Sequence, residues 1–179
     1  MLFSTEYATH HGVIADLFTA TFEASEGAEE GTLIGALARD LMTQTPASDL
    51  HVITVWDGST VIGGAIFSRL SYPDDDRVVF VMGPVAVATD RQGQGIGQEL
   101  ITWSLEALRE AGVDVVLTYG DPQYYGRVGF AAISQADVPA PFPLQHPEGW
   151  LGQSLSGSGL TPFQRTPRCV PAFNDPVFW

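Results

Sequence analysis

The chain contains no lysine. Its positive charge comes from eight arginines, set against 21 acidic residues, for a formal net charge of −13. Neutralising nucleic-acid phosphates takes basic patches, and none is visible, so no nucleic-acid partner is expected. A P-loop, which needs its lysine, is also excluded. Cys169 is the only cysteine, so no internal disulfide can form and a reducing compartment is predicted. Long apolar runs are missing as well. The longest, Val78 to Ala88, is broken by Gly83-Pro84 and is too short to span a bilayer. Residues 1–6 lack a positive region followed by an apolar stretch, so no signal peptide is read there. A cytoplasmic protein without a membrane partner follows, and 179 residues of ordinary apolar content predict one domain over 1–179 with a real core.

What is present centres on residues 78–109. A strand-like run, Val78 to Val87, meets the turn Arg91-Gln92-Gly93-Gln94-Gly95-Ile96-Gly97, which opens into a helix-periodic segment ending near Arg109. Glycines let the backbone approach a ligand closely. The first amides of a helix have no partner within it, so N–H groups and the positive end of the helix dipole converge on an anion there. The spacing is not the dinucleotide fingerprint, because counting from Gly93 and Gly95 the last glycine would fall on Gln98.

Gln92-x-x-Gly95-x-Gly97 between a strand and a long helix resembles the acetyl-CoA-binding motif of the GNAT (general amine N-acetyltransferase) superfamily. Further on, Tyr125-x-x-x-Gly129-Phe130 is similar to the segment that closes the cofactor site in that family, and Gly120-Asp121-Pro122-x-Tyr124-Tyr125-x-Arg127-x-Gly129-Phe130 looks like a subgroup of predicted bacterial N-acetyltransferases. The resemblance implies a GNAT-like α/β fold: a central twisted mixed sheet flanked by helices. It also implies acetyl-CoA as cosubstrate and a small-molecule amine as acceptor. A non-catalytic acyl-CoA-binding or sensor protein shares every cofactor feature and is the alternative. A homodimer is plausible from exposed sheet edges.

The rest of the pattern fits such a fold. Leu2 to Thr5 reads as an edge strand. Val13, Ile14, Leu17, Phe18 and Phe22 mark one helix ending before Gly27, and Leu33, Ile34, Leu37 and Leu41 a second, stopped near Thr45-Pro46. Strands at 50–56 and 61–70 flank a hairpin turn at Asp57-Gly58. Gly83-Pro84 predicts a bulge and a break in pairing in the third strand. Another strand is expected at 113–119, then a helical turn through Tyr124-Tyr125. From Ser134 the prolines and Gly-Ser stretches predict a loop-rich tail, yet its aromatics predict that it packs back and walls the acceptor side.

Acetyl transfer from a thioester to an amine needs a polarised carbonyl, a neutral amine and a proton for the thiolate. N–H groups around Val85, Ala86 and Val87 are the candidate oxyanion donors, the bland reading being ordinary sheet pairing. The phenol of Tyr125, with an intrinsic pKa of about 10, is the candidate acid; otherwise it is a packed tyrosine, as Tyr124 is expected to be. Asp121 is the candidate base, or a turn former ahead of Pro122; Glu23, Glu26, Glu29 and Glu30 are weaker candidates. Arg91 is the arginine expected to reach phosphate, with Arg127 bracing the closing turn. Adjacent His10 and His11 cannot share a helix face, so no metal is expected. Cys169 has no recognisable base partner, and Asp74-Asp75-Asp76 reads as a solvated turn, the functional alternative being attraction of a cationic acceptor.

Overall fold

The computed structural model describes all 179 residues. Two helices, α1 (His11–Glu26) and α2 (Ala28–Gln44), follow the short edge strand β1 (Leu2–Ser4). α1 turns Ile14, Leu17, Phe18 and Thr21 inward, while Val13 is left half exposed. The two helices cross closely because α2 presents Gly31 and Gly35 at the contact. A β-carbon at either position would collide with Thr19 or Glu23 of α1. This close crossing brings Phe22 of α1 and Glu30 of α2 to the same end of the helical layer.

β2 (Leu50–Asp57) and β3 (Thr60–Ser71) form the expected hairpin, and β4 (Val79–Val87) pairs antiparallel with β3. α3 (Ile96–Glu110) then crosses over to β5 (Val115–Tyr119), which runs parallel to β4. α4 (Pro122–Gly126) and β6 (Ala131–Ala132) follow. Beyond them, β7 (Trp150–Ser154) inserts between β5 and β6, giving the order β1-β2-β3-β4-β5-β7-β6. β8 (Arg168–Cys169) pairs with the far end of β3. The tail is loop-rich, as the prolines predict, but nothing in its local pattern marks these two strands.

α1, α2 and the tail cover one face of the sheet around a core that includes Phe18, Leu41, Ile66, Trp150 and Trp179. α3 covers the other, where Leu100, Ile101 and Leu108 meet Ile53, Phe67 and Phe80. The tail is held by buried groups. Trp150 Nε1 donates to the Val138 carbonyl at 2.8 Å, and Trp179 Nε1 donates to Phe173 at 3.1 Å. Of the acidic turn, Asp75 is clasped by Arg77, which holds its carboxyl below the usual range. Arg77 in turn lies over the Phe163 ring at 3.6 Å and donates to the Thr161 carbonyl.

One irregularity positions everything that follows. β4 pairs with β5 from Val79 to Met82 and then leaves it. On its other side the register with β3 slips between Ala65↔Val85 and Phe67↔Met82, so Gly83-Pro84 is the extra material of a bulge.

Candidate functional site

Past the bulge, β4 keeps one neighbour. Ala88 donates to the Ile62 carbonyl at 2.9 Å, which fixes the alternation: Ala86 faces β3, while the N–H groups of Val85 and Val87 point away from it into the gap beside β5. Of the three expected oxyanion donors, Val85 and Val87 therefore face the gap and Ala86 does not. All three residues line a cavity of about 490 Å³ at this point.

The floor of that cavity is the glycine turn. Gly93 and Gly95 adopt φ of 75° and 82°, values that side chains strain against, and Gly95 caps α3 with no side-chain bond. The first N–H of the region to find a protein acceptor is that of Glu99, bonded to Gly95. Those of Gly93, Gln94, Gly95, Ile96, Gly97 and Gln98 find none, so a fan of donors faces the cavity at the positive end of a fifteen-residue helix. Gln92 ties the turn to β4, its Nε2 donating to the Val87 carbonyl at 3.0 Å. Gln94 is not among the residues that line the cavity.

Arg91 and Arg127 both line this cavity. Arg91 is engaged, its guanidinium 2.9 Å from Asp57 and 3.7 Å from Asp90. Arg127 makes no ion pair, which leaves it the uncommitted cation at the rim. Thr21, Phe22 and Ser25 of α1 complete the wall, as does Gln98. Sequence gave no sign of these four, since an amphipathic stripe does not say which of its edge residues meets a ligand.

The closing segment works through backbone bonds. Val128 and Phe130 both donate to the Tyr125 carbonyl, at 3.1 and 3.2 Å, and Phe130 buries itself against the α3 side of the core. This fixes Tyr125, whose ring meets Tyr124 and Phe130 edge-on. Burial pushes the Tyr125 phenol up to about 12; neighbouring Tyr124 adds to the rise, the Thr118 hydroxyl draws it back and Asp121 adds a little. Tyr125 stays protonated throughout the neutral range.

A second cavity of about 210 Å³ adjoins the first, and Phe22, Val85 and Tyr125 line both. Twelve of its fifteen lining residues are hydrophobic, Phe173, Val177, Phe178 and Trp179 of the tail among them. A third, open cleft of about 700 Å³ shares Glu30, Tyr119 and Val177 with the second. Asp121 lies on this outer cleft, exposed, its carboxylate accepting from Gln123 N–H at 2.9 Å as the cap of α4. Glu26 and Glu30 line the cleft too, whereas Glu23 and Glu29 line none of the three spaces. Cys169 also lies outside them, and burial pushes its thiol up. No helix is long and apolar enough to cross a membrane.

The chain is similar to known proteins. YjhQ of Escherichia coli K12, described as an uncharacterized N-acetyltransferase, is 28% identical over 162 residues, 88% of this chain and 87% of its own. YhbS of the same strain, described likewise, is 33% identical over 94 residues, 52% of this chain and 56% of its own. The crystal structure of Escherichia coli YhbS in complex with CoA superposes with a TM-score of 0.82 at 25% identity, covering 97% of this chain and 92% of that one. The sequence profile of the Acetyltransferase (GNAT) family matches residues 13–132, which include the forked strand, the glycine turn and the closing tyrosine. On that match and that geometry, the chain belongs to the GNAT acetyltransferase family.

Proposed function

We propose that the protein is a cytoplasmic, acetyl-CoA-dependent N-acetyltransferase acting on a primary amine of a small molecule by direct attack. The observation that carries this reading is that Tyr125 lines both the cavity floored by unpartnered N–H groups and the apolar cavity beside it. A related structure, YhbS, holds CoA. The donors of residues 93–98, with Arg127 and secondarily Arg91, suit the pyrophosphate, and the gap between β4 and β5 suits the pantetheine arm.

With the thioester at the neck, where the two cavities meet at Val85 and Tyr125, its carbonyl oxygen accepts from the N–H of Val85 or Val87, a bond that strengthens as negative charge develops. The neutral amine nitrogen bonds to the carbonyl carbon, then the C–S bond breaks. The thiolate takes the proton of Tyr125, and the proton lost by nitrogen passes through solvent to restore the phenol, so one proton moves from nitrogen to sulfur overall. A phenol at about 12 is a poor acid but a permanent hydrogen-bond donor, which suits stabilising the sulfur as charge arrives. Asp121, engaged as a helix cap, is better placed to attract an amine in the outer cleft than to take its proton at the neck.

The test is incubation with acetyl-CoA and a panel of primary amines, following free thiol and acetylated product together. Equal amounts of both are expected. Tight CoA binding with no thiol released across the panel would leave an acyl-CoA-binding sensor instead.

A further inference from the structure

The three spaces are in series. The cofactor cavity and the outer cleft share no lining residue, and the apolar cavity touches each of them. It therefore has an inner end, at Tyr125, where acetyl transfer is placed above, and an outer end at Glu30. Glu30 is the only charged side chain lining it. Half-buried, this carboxylate makes no ion pair within the protein and no side-chain hydrogen bond. Beyond it the cleft is lined by Glu26, Asp121 and Glu148, and the one lining side chain able to become positive, His146, already lies 3.6 Å from Glu148.

Resting on the acetyl-transfer reading of Tyr125, we propose that the acceptor is a diamine: one amine reaches Tyr125, an apolar spacer fills the middle cavity, and a second, protonated amine stays beside Glu30. An acceptor with an apolar far end would strip water from Glu30 and return nothing for it, since a partly buried charge is costly unless paired. An acceptor with a carboxylate at that end would meet Glu30 and the acidic cleft with like charge. The inner amine enters an apolar cavity, where desolvation favours its neutral, nucleophilic form. The outer amine, with an intrinsic pKa near 10, keeps its proton beside the carboxylate. As for length, an apolar cavity of about 150 Å³ holds a benzene ring, so the 210 Å³ here holds about eight non-hydrogen atoms. Six carbons between two nitrogens match that count.

The experiment compares hexamethylenediamine, hexylamine and ω-aminohexanoate, with shorter and longer diamines. Each is titrated calorimetrically into CoA-saturated protein and assayed as an acetyl acceptor. Hexamethylenediamine is expected to exceed hexylamine on the order of tenfold in affinity and in kcat/KM, with ω-aminohexanoate weaker still and the optimum near six methylenes. Glu30→Gln should bring the diamine-to-hexylamine ratio to about one while CoA binding persists, and Glu29→Gln should leave the ratio as it is. Equal binding of hexylamine and the diamine, or a ratio untouched by Glu30→Gln, overturns the proposal. Diamine-selective binding without acetylation keeps the cavity assignment and sinks the transferase reading; acetylation without diamine preference does the reverse.

Discussion

The Tyr124 hydroxyl occupies the space that a β-carbon on Gly97 would need. The glycine of the turn motif and a tyrosine of the closing segment are thus two sides of one contact, and both line the cavity of about 490 Å³. Gly97→Ala should push Tyr124 aside and cost about 1–3 kcal/mol in overpacking, with weaker CoA binding. Tyr124→Phe removes the obstructing atom. The double variant should regain most of both losses, and a double-mutant cycle by chemical denaturation and calorimetry would show the coupling.

Tyr125→Phe keeps the ring on Phe130 and removes only the hydroxyl. Turnover should slow on the order of 10²-fold with CoA affinity nearly unchanged, as expected when a proton donor acts only in the transition state. Unaltered turnover on an accepted amine would remove the assignment.

The same residue gives a pH dependence with a definite sign. Its folded pKa of about 12 lies above the ordinary value near 10. The folded state holds the proton more tightly, so its contribution is complete below about pH 10 and is lost as pH rises toward 12. Tyr72 is raised too, also by burial. Denaturation of the native protein across that window should therefore show falling stability, and Tyr125→Phe should show a shallower fall by on the order of 2 kcal/mol.

At the rim, the two arginines should separate. Arg127→Ala removes an uncommitted cation, so CoA affinity should fall several-fold and lose part of its salt dependence. Arg91→Ala also leaves Asp57 and Asp90 without their partner, so it should change CoA binding and thermal stability together. Calorimetry at two salt concentrations distinguishes the cases.

Trp179→Ala should destabilise the protein by about 3–5 kcal/mol, since the ring is almost fully buried against Phe173 and Trp150. The acceptor should suffer more than the cofactor. Trp179 lines the second cavity and not the one floored by the glycine turn, so on the proposed function amine KM should rise while CoA binding holds in protein that remains folded.

Legibility in the sequence followed the range of the interactions. The glycine turn, the Gly83-Pro84 bulge and the helical turn that carries Tyr125 are readable because a few neighbouring residues decide them: positive φ at Gly93 and Gly95, a missing donor at Pro84, backbone bonds from Val128 and Phe130 to one carbonyl. β7 is not, because five residues flanked by Gly149 and containing Gly152 show no period, and their pairing is set by β5 across a long loop. Arg91 is expected at phosphate because it sits beside the turn, and what local sequence does not show is that Asp57 of a distant hairpin lies 2.9 Å from its guanidinium. Glu30 is one of four glutamates that the sequence offers as weaker base candidates, and nothing local separates it from Glu23, Glu26 and Glu29. Its place at the edge of a cavity depends on α2 packing against Phe173 and its neighbours in the tail, far away in sequence.

The late arrival of β7 also bears on how the chain folds. Val115–Tyr119 is apolar, and its second edge stays open until residues 150–154 return to it across the whole intervening loop. Closing that loop delays the reward of pairing, so sheet completion belongs to the slow part of folding, and the bare edge of β5 is where nascent chains would self-associate. A charge placed at Gln153 or Ser154, the least buried positions of this strand, should therefore lower the yield of refolded protein more than its effect on the finished molecule accounts for.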